Sequence, residues 1–300
     1  MSTKISKMET RRNRKGIFFV SPYFLIYCVF GLVPILYTLY LSFTNWDGFS
    51  TPTFVGLDNY TRLLQDDLFF KSVGNTFIIW LCSIIPQLIL ALVLAIILNE
   101  KFIKGKNFFR ATYYFPNIIT PVTVGLLFAL LFDWQTGTVN KILLDLHIID
   151  DPVNWLKNPI WSRLIISFLM CWQYFGYNML FFLAGLQGIP SSVYEAAQVD
   201  GANKFQTTIK VTLPLLKPVL VFVGLTSIIG GLQLFDQAMM MGTGPENSTL
   251  TMVMYLYNTA FKNFDYGYGS AIAYGIFVII LLATVITQIL TKIMRRRSEG

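Results

Sequence analysis

Six stretches of the chain contain no Asp, Glu, Lys, Arg or His: residues 17–43, 76–98, 113–132, 164–186, 219–235 and 268–291. A helix needs about 20 apolar residues to cross roughly 30 Å of hydrocarbon. Each stretch therefore predicts a membrane-spanning helix. The fifth is the shortest and contains Gly224, Gly230 and Gly231, so its helix can begin earlier, near Leu213. None of the runs alternates polar and apolar residues as a barrel strand does. An open strand would also leave unpaired backbone groups in lipid. The pattern predicts an all-α integral membrane protein with six transmembrane helices. Pro86, Pro116 and Pro121 are expected to kink the second and third spans.

Composition agrees with this pattern. Apolar residues make up 54% of the 300 and charged residues 13%, against about 45–50% and about 25% in soluble chains. A core of this size cannot hide that much apolar surface from water, and the chain is too apolar for a disordered segment. Three cysteines, an odd number, argue against a disulfide-stapled secreted domain. Cys28, Cys82 and Cys171 all fall inside spans and are read as small packing residues.

Charge assigns the sides. The segments before span one, between two and three, between four and five, and after six hold 17 of the 23 Lys and Arg residues but only 5 of the 16 Asp and Glu. Basic residues mark the cytoplasmic face, so both termini are expected inside. Residues 1–16 then form a cytoplasmic tail, 17–293 the six-helix domain, and 294–300 a basic tail. The runs Arg11-Arg12-Asn13-Arg14-Lys15 and Arg295-Arg296-Arg297 read as anchors at anionic lipid headgroups. The net charge of +7 is thus an orientation signal and not a nucleic-acid footprint. The first apolar run is too long for a signal-peptide core and is expected to be retained.

The spans lack the midplane ionisable groups by which ion-coupled carriers work; Asp133, Arg163 and Asp236 fall at their external ends. No nucleophile–base pair or metal cluster appears. The single His147, beside Asp145, Asp150 and Asp151, reads as a solvated loop residue. Gly242-Thr243-Gly244-Pro245 is Gly-rich but lacks the Lys of a phosphate-binding loop. A pump built on this chain must take its energy from another polypeptide.

The segment 189–218, IPSSVYEAAQVDGANKFQTTIKVTLPLLKP, is the most informative. Ser192-Val193-Tyr194-Glu195 fits a capping box at a helix start, and Glu195–Val199 favours helix. Gly201 permits a sharp turn. A second helix over 202–212 would place Phe205, Ile209 and Thr212 on one face. Pro214 and Pro218 return the chain to the membrane. This predicts an elbow on the cytoplasmic surface between spans four and five.

Glu195-Ala196-Ala197, Gly201 and Leu213-Pro214, with Asp200 between them, resemble the EAA loop of bacterial ABC-importer permeases. The family usually carries Ile where this chain has Val211. Ser21-Pro22-Tyr23, Leu41-Ser42-Phe43, Val55-Gly56-Leu57-Asp58-Asn59-Tyr60, Asn75-Thr76 and Gly242–Pro245 are similar to the carbohydrate-uptake branch, in permeases like the maltose or multiple-sugar first subunit. The resemblance implies a multi-pass subunit of the bacterial cell membrane. Its implied partners are a second permease, two ATPase subunits, an extracellular solute-binding protein and a sugar. It implies no cofactor in this chain, ATP and Mg being bound by the ATPases, and an elbow at 190–217 that couples to them.

Sugar sites combine aromatic faces with amides and carboxylates. Span four offers Gln173, Tyr174, Tyr177 and Asn178. Span five offers Gly230, Gln233 and Gln237 on one expected face, with Asp236 at its external end. Gln173, Tyr174, Tyr177, Asn178, Gln233 and Asp236 are therefore candidates for the substrate pathway, with helix–helix packing as the competing role. Two other architectures fit the spans: a self-contained secondary carrier or facilitator, and a cargo-free scaffold. A carrier needs coupling groups or a repeat, and neither is evident.

Overall fold

A computed structural model describes residues 7–100 and 102–299, with side chains from Gly16 to Ile293. The basic runs at 11–15 and 295–297 lie outside the described side chains. In chain order the helices are α1 (Lys7–Tyr27), α2 (Val33–Leu41), α3 (Asp58–Leu64), α4 (Asp67–Asn99), α5 (Lys106–Ile118), α6 (Pro121–Leu131) and α7 (Thr138–Asp145). They continue with α8 (Pro159–Gln187), α9 (Ser191–Val199), α10 (Lys204–Thr207), α11 (Leu213–Gly231), α12 (Asp236–Met241), α13 (Met252–Tyr257) and α14 (Tyr266–Glu299). Short π turns at Cys28–Leu32, Thr208–Thr212 and Asn258–Lys262 join α1 to α2, α10 to α11, and extend α13. A two-stranded antiparallel ribbon, β1 (Thr44–Asn45) with β2 (Thr53–Phe54), lies outside the spans; the all-α expectation omitted it.

Among the described residues, five helices are long and apolar enough to cross a membrane: Gly16–Leu41, Asp67–Asn99, Pro159–Gln187, Lys204–Gly231 and Tyr266–Ile293. A sixth span exists if α5 and α6, bent by 88°, are counted as one. Pro86 leaves α4 unbroken. The break in the third span falls at Ile119-Thr120: Thr120 is extended ahead of Pro121, which starts α6. That is the conformation a following proline imposes, and proline is well placed at a helix start, where its missing N–H costs nothing. The predicted fifth span, 219–235, is shifted: its helix is continuous from Lys204 and stops at Gly231.

The chain divides into two compact units. The first comprises residues 1–65 and 257–275. Its long helix from α1 through α2 is almost wholly exposed, Phe18, Phe19 and Phe30 among its outward residues. Beyond it the ribbon is tied down by side chains. The buried Asn59 amide donates to the Ser42 and Thr44 carbonyls (3.0 and 2.8 Å), and the Ser42 hydroxyl pairs with the Tyr60 hydroxyl (2.7 Å). Arg62 bonds Asp265 at 2.8 Å and covers the Tyr268 ring at 3.7 Å. At the ribbon tip the Asp47 carboxylate accepts from the Phe49 and Ser50 amides and the Ser50 hydroxyl. Those donors pull its pKa down to about 2, Ser50 contributing most.

The second unit comprises 66–256 and 276–300. Its scaffold is α4 packed along α8. Asp66 starts α4 by accepting from the Leu68 and Phe69 amides. Asn158 starts α8 in the same way, through Ile160 and Trp161. One apolar cluster gathers Ile79, Val124, Phe128, Ile166, Leu169, Leu234 and Met254. Another gathers Ala91, Ala95, Met179, Phe182, Leu186, Leu216 and Val223. Gly176 lets α5 pack on α8: a Cβ there would sit 1.8 Å from the Tyr113 carbonyl oxygen. Cys171 is buried, but Cys28 and Cys82 are exposed. The packing role expected of all three thus fits Cys171 alone, because the outer faces of spans one and two have no protein neighbour at those positions.

Candidate functional site

Two features of the second unit concern function: a cavity and an elbow. The cavity, of ≈ 350 Å³, is walled by α4, α8, α11, the break between α5 and α6, and the segment after α11. Its volume falls in the range of small-molecule sites, about 300–1,000 Å³. Trp80, Ser83 and Gln87 form one stripe of α4, since residues three and four apart share a helix face. From α8 come Met170, Tyr174, Tyr177 and Asn178, and from the third span Asn117 and Pro121. The wall after α11 contributes Gln233 through Gln237. The lining thus combines four aromatic side chains, Trp80, Tyr174, Tyr177 and Phe235, with neutral amides, and among the described residues Asp236 is its one carboxylate.

Of the six predicted pathway residues, Tyr174, Tyr177, Asn178, Gln233 and Asp236 line this cavity. Gln173 does not. It is 1% exposed and turns away from the lining. Its Nε2 donates to the Ile119 carbonyl (3.2 Å), and its Oε1 accepts from Gln237 Nε2 (2.8 Å), which also reaches the Tyr174 hydroxyl at 3.4 Å. Gln173 therefore bridges the two interrupted spans from behind the cavity. Gly230, Gln233 and Gln237 all line the cavity, as expected of one wall, but not as one face of a regular helix. The helix ends at Gly231 and α12 begins at Asp236, so the four intervening residues break the 3.6-residue period.

Sequence reasoning missed Trp80, Gln87 and Asn117. Trp80 and Gln87 lie on one α4 stripe that could have been read from their spacing. Asn117 could not, because its place depends on the 88° bend. Among the described residues no cluster of three or more His, Cys, Asp or Glu could hold a metal ion.

The elbow is a helix–turn–helix. Pro190 is the N-cap of α9, which starts at Ser191 without a side-chain cap. The capping box expected at Ser192 and Glu195 is absent because Pro190 already fixes the extended entry conformation and starts the helix earlier. A capping box does form one helix later, between Asn203 and Gln206 at the start of α10. Glu195 is left exposed on α9, and among the described residues its carboxylate has no partner. Ala196, Asp200 and Gly201 are exposed beside it, while Ala197 is buried.

Gly201 has φ +75°. The Ala202 amide bonds the Ala197 carbonyl (2.9 Å) and the Gly201 amide the Gln198 carbonyl (3.0 Å). This is the Schellman geometry, in which glycine supplies the left-handed residue. Nothing lies within 4 Å of where its Cβ would be, so the surface beyond it is open. Val199 and Phe205 are 87% and 76% exposed on either side of the turn.

Leu213 and Pro214 open α11 directly after the π turn, in which the Leu213 amide reaches back to the Thr208 carbonyl. Pro214 has no N–H to give the preceding turn. The wider turn shifts the register, so Thr212 is 5% exposed while Phe205 points outward. They do not share the face that a regular helix predicts. Lys204 of α10 lies 3.6 Å from Glu100 at the end of α4.

The family model described as binding-protein-dependent transport system inner membrane component matches residues 76–300. The chain belongs to that family. Among curated relatives it is 36% identical to the lactose transport system permease protein LacF of Rhizobium radiobacter, over 95% of this chain and 96% of that protein. It is 38% identical to the multiple sugar-binding transport system permease protein MsmF of Streptococcus mutans, over 88% of this chain and 90% of that protein. A chain of the bacterial alginate ABC transporter, solved in complex with alginate pentasaccharide-bound periplasmic protein, has the same fold. It matches with a TM-score of 0.82 at 21% identity over 96% of this chain and 97% of that one. The chain is thus an ABC-importer permease and a multi-pass membrane protein, and its relatives are transport permeases rather than enzymes.

Proposed function

We propose that this permease is one membrane subunit of an ATP-driven importer that carries a sugar, in the first instance an oligosaccharide, into the cytoplasm. The observation that carries the sugar reading is the cavity. Trp80, Tyr174 and Tyr177 offer ring faces to C–H surfaces, and Gln87, Asn117, Asn178 and Gln233 offer neutral donors and acceptors to hydroxyls. The naming of relatives for lactose and for multiple sugars supports the same class.

The partners in this reading are a second, similar permease, two ATPase subunits that bind ATP and Mg, and an extracellular binding protein. The family description and the periplasmic protein in the alginate transporter complex support the last of these. The excess of basic residues in the loops on one side of the spans supports a cytoplasmic position for the termini and the elbow.

The elbow is the coupling element. Its exposed Glu195 carboxylate is free for an Arg, Lys or backbone N–H of an ATPase. Val199 and Phe205 supply apolar contact, and the open surface at Gly201 admits a close partner. Closing of the ATPases on ATP moves the elbow, and with it α11, which runs without interruption from the elbow to the cavity wall. The cavity then changes the side to which it opens, by rigid-body alternating access. Purification of the tagged chain from its native membrane tests the coupling. An ATPase subunit is expected to accompany it and to be lost from the Glu195→Lys and Gly201→Asp variants while the second permease remains. Retention of the ATPase by both variants contradicts the assignment.

A further inference from the structure

Two motifs that carry the family resemblance, Asn75-Thr76 and the loop containing Gly242-Thr243-Gly244-Pro245, are joined in the fold, and neither lines the cavity. Between α12 and α13 the chain runs through Glu246 and Asn247, both with positive φ (51° and 57°), and then through Ser248, Thr249, Leu250 and Thr251, each at most 2% exposed. A buried loop must have its backbone groups paired, and here they are paired by side chains of α4 and α8.

Arg163 of α8 donates from Nε to the Ser248 carbonyl (2.9 Å) and from Nη2 to Asn75 Oδ1 (2.8 Å). Asn75 of α4 passes the contact on: its Nδ2 donates to the Asn247 and Leu250 carbonyls (2.7 and 3.0 Å). Thr76 accepts from the Met252 amide (3.0 Å). Inside the loop the Thr251 hydroxyl donates to the Leu234 carbonyl (2.7 Å). Leu234 belongs to the cavity wall between α11 and α12.

An unbroken series of bonds thus runs from α8 through Arg163, Asn75 and the loop to the wall. Arginine suits the first position because its planar fork can meet two acceptors at once. Both of its acceptors are neutral, and among the described residues no carboxylate pairs with it. Its job is therefore geometric: it holds a carbonyl and an amide in fixed relation.

We propose that Arg163 and Asn75 form a latch that fastens the segment 232–252, which carries the cavity wall at 233–237, to α4 and α8. The wall then moves with those helices as one body rather than as an independent flap. The two are positioning residues: they act on the cavity through Thr251 and Leu234 and touch no cargo. The functional meaning of the latch rests on the transport reading, but its test does not.

The test uses the full chain in native membrane vesicles, with Cys28, Cys82 and Cys171 replaced by Ala. Leu250→Cys reports on the wall and Leu183→Cys, in the separate cluster along α8, reports on the whole bundle. Both leucines are 2% exposed. The readout is the rate of reaction with a membrane-impermeant maleimide. Arg163→Met removes both donors of the fork. Asn75→Asp keeps the acceptor for Arg163 and adds a charge to attract it, but loses the two donors to the loop. Each is expected to raise labelling at Leu250→Cys by about tenfold or more, leaving Leu183→Cys protected, because a lost buried bond is costly and local opening follows local stability. Thr251→Val serves the same test where Arg163→Met does not accumulate, and Thr251→Ser is expected to restore protection. Labelling of both positions, which marks general loosening, overturns the proposal. So does labelling of neither, and so does an Asn75→Asp variant that behaves like the parent.

Discussion

At the residue scale the most instructive position is Gln173. In sequence it looks like a pathway residue, a polar side chain on an aromatic-rich span. In the structure both ends of its amide are used, on Ile119 and Gln237. Gln173→Leu leaves a buried carbonyl and a buried amide without those partners, at a cost of about 1–3 kcal/mol. The expected result is a fall in the apparent melting temperature of the purified chain; at constant assembly, a variant as stable as the parent contradicts the bridging role. Asp47 supplies a pH test. Its folded pKa of about 2 lies below the ordinary 3.8. The stability it lends the ribbon tip is therefore present above about pH 3.8 and is lost as pH falls toward 2. Carbon NMR of labelled aspartate is expected to show the Asp47 carboxyl still ionised at pH 3, and Ser50→Ala is expected to move that titration back toward 3.8.

At the element scale the six apolar runs were legible because lipid leaves so few options: a charge-free stretch of that length has to be a helix. The elbow was legible for a different reason. Gly201 and Pro190 punctuate it, and both act locally. What escaped was everything set by a break in periodicity. The stop at Gly231 and the 88° bend at Ile119-Thr120 move side chains between faces, and a residue's spacing along an assumed regular helix then misleads. The π turn at Thr208–Thr212 is a third case: one extra residue rotates everything beyond it by about 100° relative to a regular helix. Deleting Ile209, within that turn, should restore α-helical geometry and turn the elbow against the cavity-lining face of α11. The expected phenotype is an assembled complex whose ATPase activity continues while uptake fails. Unimpaired uptake by the deletion variant contradicts the claim that register matters there.

At the scale of the whole molecule, two kinds of surface divide the work. The cavity is neutral apart from Asp236 and is walled by helices that buried polar bonds tie together. The elbow is exposed, carries a carboxylate that has no partner among the described residues, and continues into one of the cavity helices. That separation is why the class of protein could be read from the sequence while the cavity could be read only in part. The elbow is a contiguous motif, but the cavity is assembled from four segments far apart in the chain. In the proposed transport reading, a push at the elbow becomes a change of access at the cavity.

The most direct test of that account is uptake of a radiolabelled oligosaccharide, presented on the binding protein, into proteoliposomes holding this chain and its partner subunits. The account predicts accumulation that requires ATP inside the vesicle and disappears with Gly201→Asp, although the variant still inserts and pairs with the second permease. Uptake by this chain alone, without nucleotide, would show that the polypeptide is its own carrier and would contradict the account.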